Sequence, residues 1–139
     1  MRRCALPGGG ATVKVPEGWS RSSAGGAVTF TDKLNAIRVE TVKAAAAPTV
    51  RDVTRSDRAR VGTTARVTSV QRRAGTAIRT TYLADAKANA ITGKAGKNAV
   101  ERYVFFHGGR DLVLTLSGPK GADNVDPWKI VTDSVRFTR

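Results

Sequence analysis

The sequence predicts one α+β domain built on a mainly antiparallel sheet. Three observations carry that expectation. Val100-Glu-Arg-Tyr-Val-Phe-Phe-His107 and Leu112-Val-Leu-Thr-Leu-Ser117 are rich in β-branched, aromatic and leucine residues, and Gly108-Gly109 between them supplies a tight turn. Residues 11–15, 27–31 and 36–42 are short alternating runs divided by Gly, Pro, Asp and Asn, which predicts an antiparallel meander. Asp126-Pro127 precedes Trp128, Val131 and Val135, three and then four apart, the stripe of a short helix that packs on a sheet.

Taken in order, residues 1–10 are mostly Gly, Arg and Pro and predict a flexible tail. Residues 11–15 alternate as a first strand, and Pro16-Glu-Gly18 turns the chain. Trp19 follows as a large anchor for the core, with ligand stacking as the alternative. Residues 22–26 read as a turn before the strand at 27–31. In the strand at 36–42, Ile37, Val39 and Thr41 share one face, and Arg38, Glu40 and Val42 share the other.

Thr49-Val-Arg-Asp52 has the form of a capping box, so a helix is expected from about Val50 to Val61, with Val50 and Val53 as its thin apolar face. Residues 65–71 and 77–83 predict a second hairpin turned near Arg72-Arg-Ala-Gly75. Residues 84–97 are small, polar and basic, and read as a binding loop or a disordered segment. In the hairpin at 100–117, both faces of the first strand carry large apolar groups, as in a central strand covered on two sides. Asp126 is expected to cap the last helix, with Pro127 at its first position, and residues 135–137 to leave as a final short strand.

A chain of 139 residues fits one domain and can bury roughly two-thirds of its unfolded surface. The 24 basic and 11 acidic residues give a formal charge of +13. Residues 1–75 hold 14 Lys/Arg and 5 Asp/Glu, and the remainder hold 10 and 6, so the excess is spread with a bias to the first half. A field of this sign favours anionic partners: nucleic acid, lipid headgroups or acidic polymers. The same excess also fits Arg- and Ala-rich residue usage with no partner. One cysteine, Cys4, excludes an intrachain disulfide. No run approaches the roughly 18 apolar residues of a membrane span. Met1-Arg-Arg-Cys4 lacks the apolar core of a signal peptide, so the expected setting is cytoplasmic unless the true start lies upstream.

Reactive constellations are sparse. His107 is the only histidine and ends a strand beside a glycine turn, which predicts a turn residue rather than a catalytic base. One His and one Cys cannot supply a His/Cys metal cluster. Gly93-Lys94 lacks the earlier glycine and the Ser/Thr of a phosphate loop. Asp123-Asn-Val-Asp126 lacks the ligand count of a calcium loop and suits helix capping instead. No catalytic set and no cofactor site is expected. The candidate partner surface is cationic. Arg51, Arg55 and Arg58 line one side of the first helix, and Lys94 and Lys97 sit in the long polar segment. A solvated face with local Asp52–Arg55 and Asp57–Arg60 pairs is the alternative explanation of the arginines.

Several short motifs stand along this order of elements: Val15-Pro-Glu-Gly-Trp19, Val28-Thr-Phe-Thr-Asp32, Glu101-Arg-Tyr-Val104, Leu114-Thr-Leu-Ser117 and Asp126-Pro-Trp-Lys129 with Asp133-Ser134. Together with that order they resemble the PsbP-like fold family, which includes the photosystem II PsbP protein, the yeast Ran-binding Mog protein and small envelope lipoproteins of high-GC Gram-positive bacteria. They look closest to the actinobacterial lipoprotein or sensor-domain branch. The resemblance implies a central, mainly antiparallel sheet of about six or seven strands flanked by helices, an α/β/α sandwich over residues 11–139. It also implies an extracytoplasmic, membrane-tethered setting and no shared catalytic residues.

Two functions follow as expectations. The first is a monomeric, non-enzymatic binding or accessory module of the bacterial envelope that recognises an anionic or protein partner. The second is a cytoplasmic basic protein that binds nucleic acid, supported by charge alone.

Overall fold

The structure is a computed structural model that describes residues 1–6, 10–85 and 96–138. Ten strands and two helices follow one another as β1 (Arg2–Ala5), β2 (Ala11–Val15), β3 (Ser20–Ala24), β4 (Ala27–Asp32), β5 (Asn35–Lys43), α1 (Val50–Val61), β6 (Arg66–Arg72), β7 (Gly75–Asp85), β8 (Lys97–His107), β9 (Arg110–Pro119), α2 (Val125–Asp133) and β10 (Arg136–Phe137). Seven of them form one sheet in the order β3-β4-β5-β9-β8-β7-β6, and a smaller sheet has the order β1-β2-β10. Every strand pair in both sheets is antiparallel.

The two predicted hairpins lie side by side. Val104 faces Val113 and Tyr103 faces Leu114 across β8–β9, while Ala77 faces Phe105 across β7–β8. Period-two alternation then sorts the sheet into two faces. Ile37, Val39, Tyr103, Phe105, Leu112, Leu114 and Leu116 point to one side, where Val13 and Val15 of the small sheet, Trp128 and Val131 of α2, and Val135 just past that helix meet them. The other side carries Ile78, Thr80, Val100, Val104 and Val113, and α1 packs over its β6–β7 end. Burial on both faces is why β8 reads as apolar on both sides.

The β8–β9 turn needs left-handed backbone at both positions, φ 59° at Gly108 and φ 78° at Gly109. A β-branched side chain is strained there. Gly108→Val is expected to lower stability by about 1–2 kcal/mol in denaturant titration, whereas the same change at Gly10, whose φ is not in that region, should cost far less.

Several expectations need correction. Residues 1–10 are not a loose tail throughout: Arg2–Ala5 pair with β2, and Cys4 and Leu6 are buried in the core. β2 does not join the meander. It is the centre of the small sheet, and the meander is β3-β4-β5. The turn expected over residues 22–26 is confined to Gly25-Gly26, and residues 20–24 form a strand, because backbone pairing to β4 holds a run whose side chains are all exposed. The flank opposite α1 therefore carries a second sheet as well as a helix, and the flanks are not purely helical as the sandwich expectation had them. α2 begins at Val125 with Asn124 at its cap, and no side-chain cap bond forms there. Pro127 sits within the first turn, where a missing N–H is tolerated. Asp126 is thus a first-turn acid beside the positive helix end rather than the cap.

Other expectations hold. Thr49 caps α1, its Oγ1 accepting the Asp52 N–H at 3.1 Å. Trp19 packs against the core while remaining partly exposed. Of the long polar segment, residues 86–95 lie outside the described residues, so the binding-loop expectation and the Gly93-Lys94 comparison go no further. No described helix is long and apolar enough to cross a membrane.

Candidate functional site

Two polar clasps fix the helices to the large sheet. On the α1 side, Asp57 is almost fully buried. It accepts the Thr80 hydroxyl at 2.6 Å, Arg102 Nη1 at 3.3 and 3.4 Å, and Arg60 Nη2 at 3.5 Å. A buried carboxylate is tolerable only when donors surround it in this way. On the α2 side, Arg72 reaches across the sheet. Its Nε donates to Thr132 Oγ1 at 2.8 Å and its Nη2 to Tyr103 Oη at 3.2 Å, while Tyr103 donates to Glu101 at 2.6 Å.

Burial, and then the adjoining Glu101 carboxylate, raise the Tyr103 phenol above its ordinary value of 10.0. The folded state therefore keeps a proton that the unfolded chain loses. This contribution is complete below pH 10, and it is lost as pH rises from there through the folded value. Alkaline titration followed by tyrosinate absorbance should show Tyr103 ionising late, together with unfolding. Tyr103→Phe should remove that stage of the titration.

The α2 clasp places the end of that helix beside β2, and a cleft of about 740 Å³ opens there. Its walls come from separate parts of the chain: Arg3 of β1, Lys14 of β2, Arg73 of the β6–β7 turn, and Arg136 of β10. Ser134 at the end of α2 pins these parts. Its Oγ accepts the Lys14 N–H at 2.8 Å and donates to the Val131 carbonyl at 2.5 Å. The Asp133 carboxylate accepts the Arg73 N–H at 3.4 Å. His107 stacks on Phe137 with centroids 4.6 Å apart, and both rings line this cleft and a second one of about 240 Å³ that also borders Arg110.

Charge dominates the larger cleft. Four cations line it against one acid, Asp133. Cations near a helix C-terminus have an ordinary structural use, which is to satisfy the last carbonyls. Arg3 is occupied in this way, donating through Nη1 to the Ser134 carbonyl at 3.0 Å and to Thr12 at 2.7 Å. That explanation stops at Arg3. Among the described residues, Lys14, Arg73 and Arg136 enter no ion pair, and Arg73 and Arg136 are exposed.

The residues singled out from sequence lie elsewhere. Arg51, Arg55 and Arg58 are all exposed on α1. Arg58 closes its own helix, with Nε donating to the Ala65 carbonyl at 3.2 Å. Asp57 pairs with Arg60 as expected, but among the described residues no ion pair joins Asp52 to Arg55. Lys97 pairs with Asp85 across β7–β8, and its hydrogen bond holds that exposed carboxyl below the usual carboxylate value. Lys94 lies outside the described residues. None of the four described cations lines the cationic cleft. Arg3, Lys14, Arg73 and Arg136 escaped sequence reading because only tertiary structure gathers them. The one local hint was paired arginines in a hairpin turn.

The architecture is the PsbP-like fold, a strand-rich α+β domain with a seven-stranded antiparallel sheet. Cyanobacterial PsbP (CyanoP) from Synechocystis sp. PCC 6803 matches it with a TM-score of 0.64 and 14% identity, over 98% of this chain and 91% of that one. The Ran-binding protein Mog1p of Saccharomyces cerevisiae matches with a TM-score of 0.63 and 13% identity, over 98% and 94%. A protein of Bacteroides thetaiotaomicron VPI-5482 matches with a TM-score of 0.65 and 14% identity, over 99% of this chain but 48% of that one, so this chain spans about half its length. Such low identities establish the fold alone. No protein-family model matches the sequence, and comparison with curated proteins finds no relative.

Proposed function

We propose that this domain is a non-enzymatic binding module that holds an anionic group of a partner protein in the cleft at the end of α2. The supporting observation is the convergence of Lys14, Arg73 and Arg136 on one cleft without ion pairs among the described residues. Unneutralised cations held near one another raise the local potential and strengthen the capture of an anion. The side chains capable of reaction chemistry are otherwise engaged: His107 is stacked on Phe137, and the Ser134 hydroxyl bridges Val131 and Lys14. A protein partner is in keeping with the yeast protein of the same fold, whose name records Ran binding.

The setting we assign is the bacterial envelope, as an accessory module of the lipoprotein type, on the resemblance of its short motifs to that branch of the fold. Reading the gene upstream tests it. An export signal or membrane anchor supports the assignment, and its absence from the gene overturns it.

For the cleft, the test is retention on heparin, used as a generic polyanion. Arg73→Glu with Arg136→Glu is expected to bring elution to a markedly lower salt concentration and to weaken binding about tenfold or more. Arg51→Glu with Arg55→Glu makes the same change in net charge on α1 and should shift elution far less. Equal shifts for the two pairs would show that net charge, not the cleft, governs binding.

A further inference from the structure

We infer that the cleft's occupant is an acidic peptide segment carrying an aliphatic side chain, rather than a nucleic-acid backbone. This rests on the cationic-cleft reading above and adds the chemical class of the partner. The cleft pairs its cations with an apolar shelf. Ile130 of α2 is 53% exposed, although its helix neighbours Trp128 and Val131 are buried in the core. A large aliphatic group standing out of a short helix beside Arg73 and Arg136 gives a carboxylate-bearing peptide two kinds of contact: ion pairing, and burial of a Leu- or Ile-like side chain.

Three features favour a peptide over a polyphosphate chain. Asp133 lies among the cations and accepts a backbone N–H in the protein itself. A peptide N–H can satisfy such a carboxylate, whereas a phosphodiester only repels it. The aromatic rings at the cleft, His107 and Phe137, are stacked on each other, so each has one face already covered. Ile130 has no π face, so the exposed apolar surface it adds offers bases no stacking platform. His107 and Phe137 also line the smaller cleft bordered by Leu112 and Arg110, which sets a second recess next to the first for a longer segment.

The test is fluorescence anisotropy of the full chain with three labelled probes: a short Glu/Asp-rich peptide with one leucine, the same peptide with serine in its place, and a short DNA duplex. The leucine peptide is expected to bind about tenfold more tightly than the serine peptide. Ile130→Asp should abolish that preference, and because Ile130 is exposed the variant should keep the parent melting temperature. Ile130→Leu should retain the preference. Arg136→Glu should weaken both peptides about equally. If the two peptides bind alike, or the duplex binds more tightly than either and still depends on Arg73 and Arg136, the peptide assignment is overturned while the cationic cleft stands. If no probe responds to charge reversal at Arg73 and Arg136, the cleft reading itself fails.

Discussion

Asp57→Ala is expected to destabilise the domain by about 3 kcal/mol, a fall of roughly 10 °C in Tm. The carboxylate is 2% exposed and its partner Arg102 is 22% exposed, so the deletion strands a cation and the Thr80 hydroxyl away from water. The loss comes from the abandoned partners more than from the missing attraction. Asp57→Asn keeps one acceptor and should cost about half as much. Replacing the set together, as Asp57→Leu, Thr80→Val and Arg102→Met, should recover most of the stability, because no buried donor is then left over. Thermal and denaturant unfolding of the three variants decide the matter. A triple variant as unstable as Asp57→Ala would show that the clasp contributes by attraction.

Trp128→Ala should have an effect of similar size, about 3–4 kcal/mol, for a different reason. Trp128 is 8% exposed and belongs to the core shared by the large sheet, the small sheet and α2. Truncation leaves a void that a nine-residue helix can only partly close. The same change should also weaken anion binding, because α2 carries Ile130 and Asp133 into the cleft and ends at Ser134, which pins β2. Trp128→Phe should recover most of both. Loss of stability with unchanged binding would separate the helix anchor from the cleft.

The sequence disclosed the parts of this architecture whose signal is local. The two hairpins were legible because apolar alternation and turn glycines agree over runs of ten residues or so. α1 was legible to its boundaries because Thr49 caps it and its charged face repeats at helical spacing. Trp128 and Val131 correctly placed a helix on the core, although Val135 lies past its end and its first residue was misplaced, since Asp126-Pro127 fits a first turn as well as a cap. β3 was not legible: Ser20–Ala24 has no apolar face, and only the backbone of β4 makes it a strand. β1 was hidden for a related reason. Arg2–Ala5 offers Cys4 alone to the core, and glycines follow it.

The cleft was the least legible feature. Its cations span residues 3 to 136, and of the four only Arg3 and Lys14 lie near each other in sequence. Sequence reasoning instead selected Arg51, Arg55 and Arg58, because helical spacing is visible in one dimension and tertiary convergence is not. Arg58 shows the hazard of that choice, since its guanidinium closes the C-terminal end of its own helix.

The most direct measurement of where this protein takes hold of its partner is a backbone-amide NMR titration with the leucine-bearing acidic peptide. The account predicts that the shifted resonances cluster on Lys14, Arg73, His107, Ile130, Ser134 and Arg136, and that they move less as salt is raised. Shifts centred on Arg51, Arg55 and Arg58 of α1, with the α2 end unmoved, would contradict it.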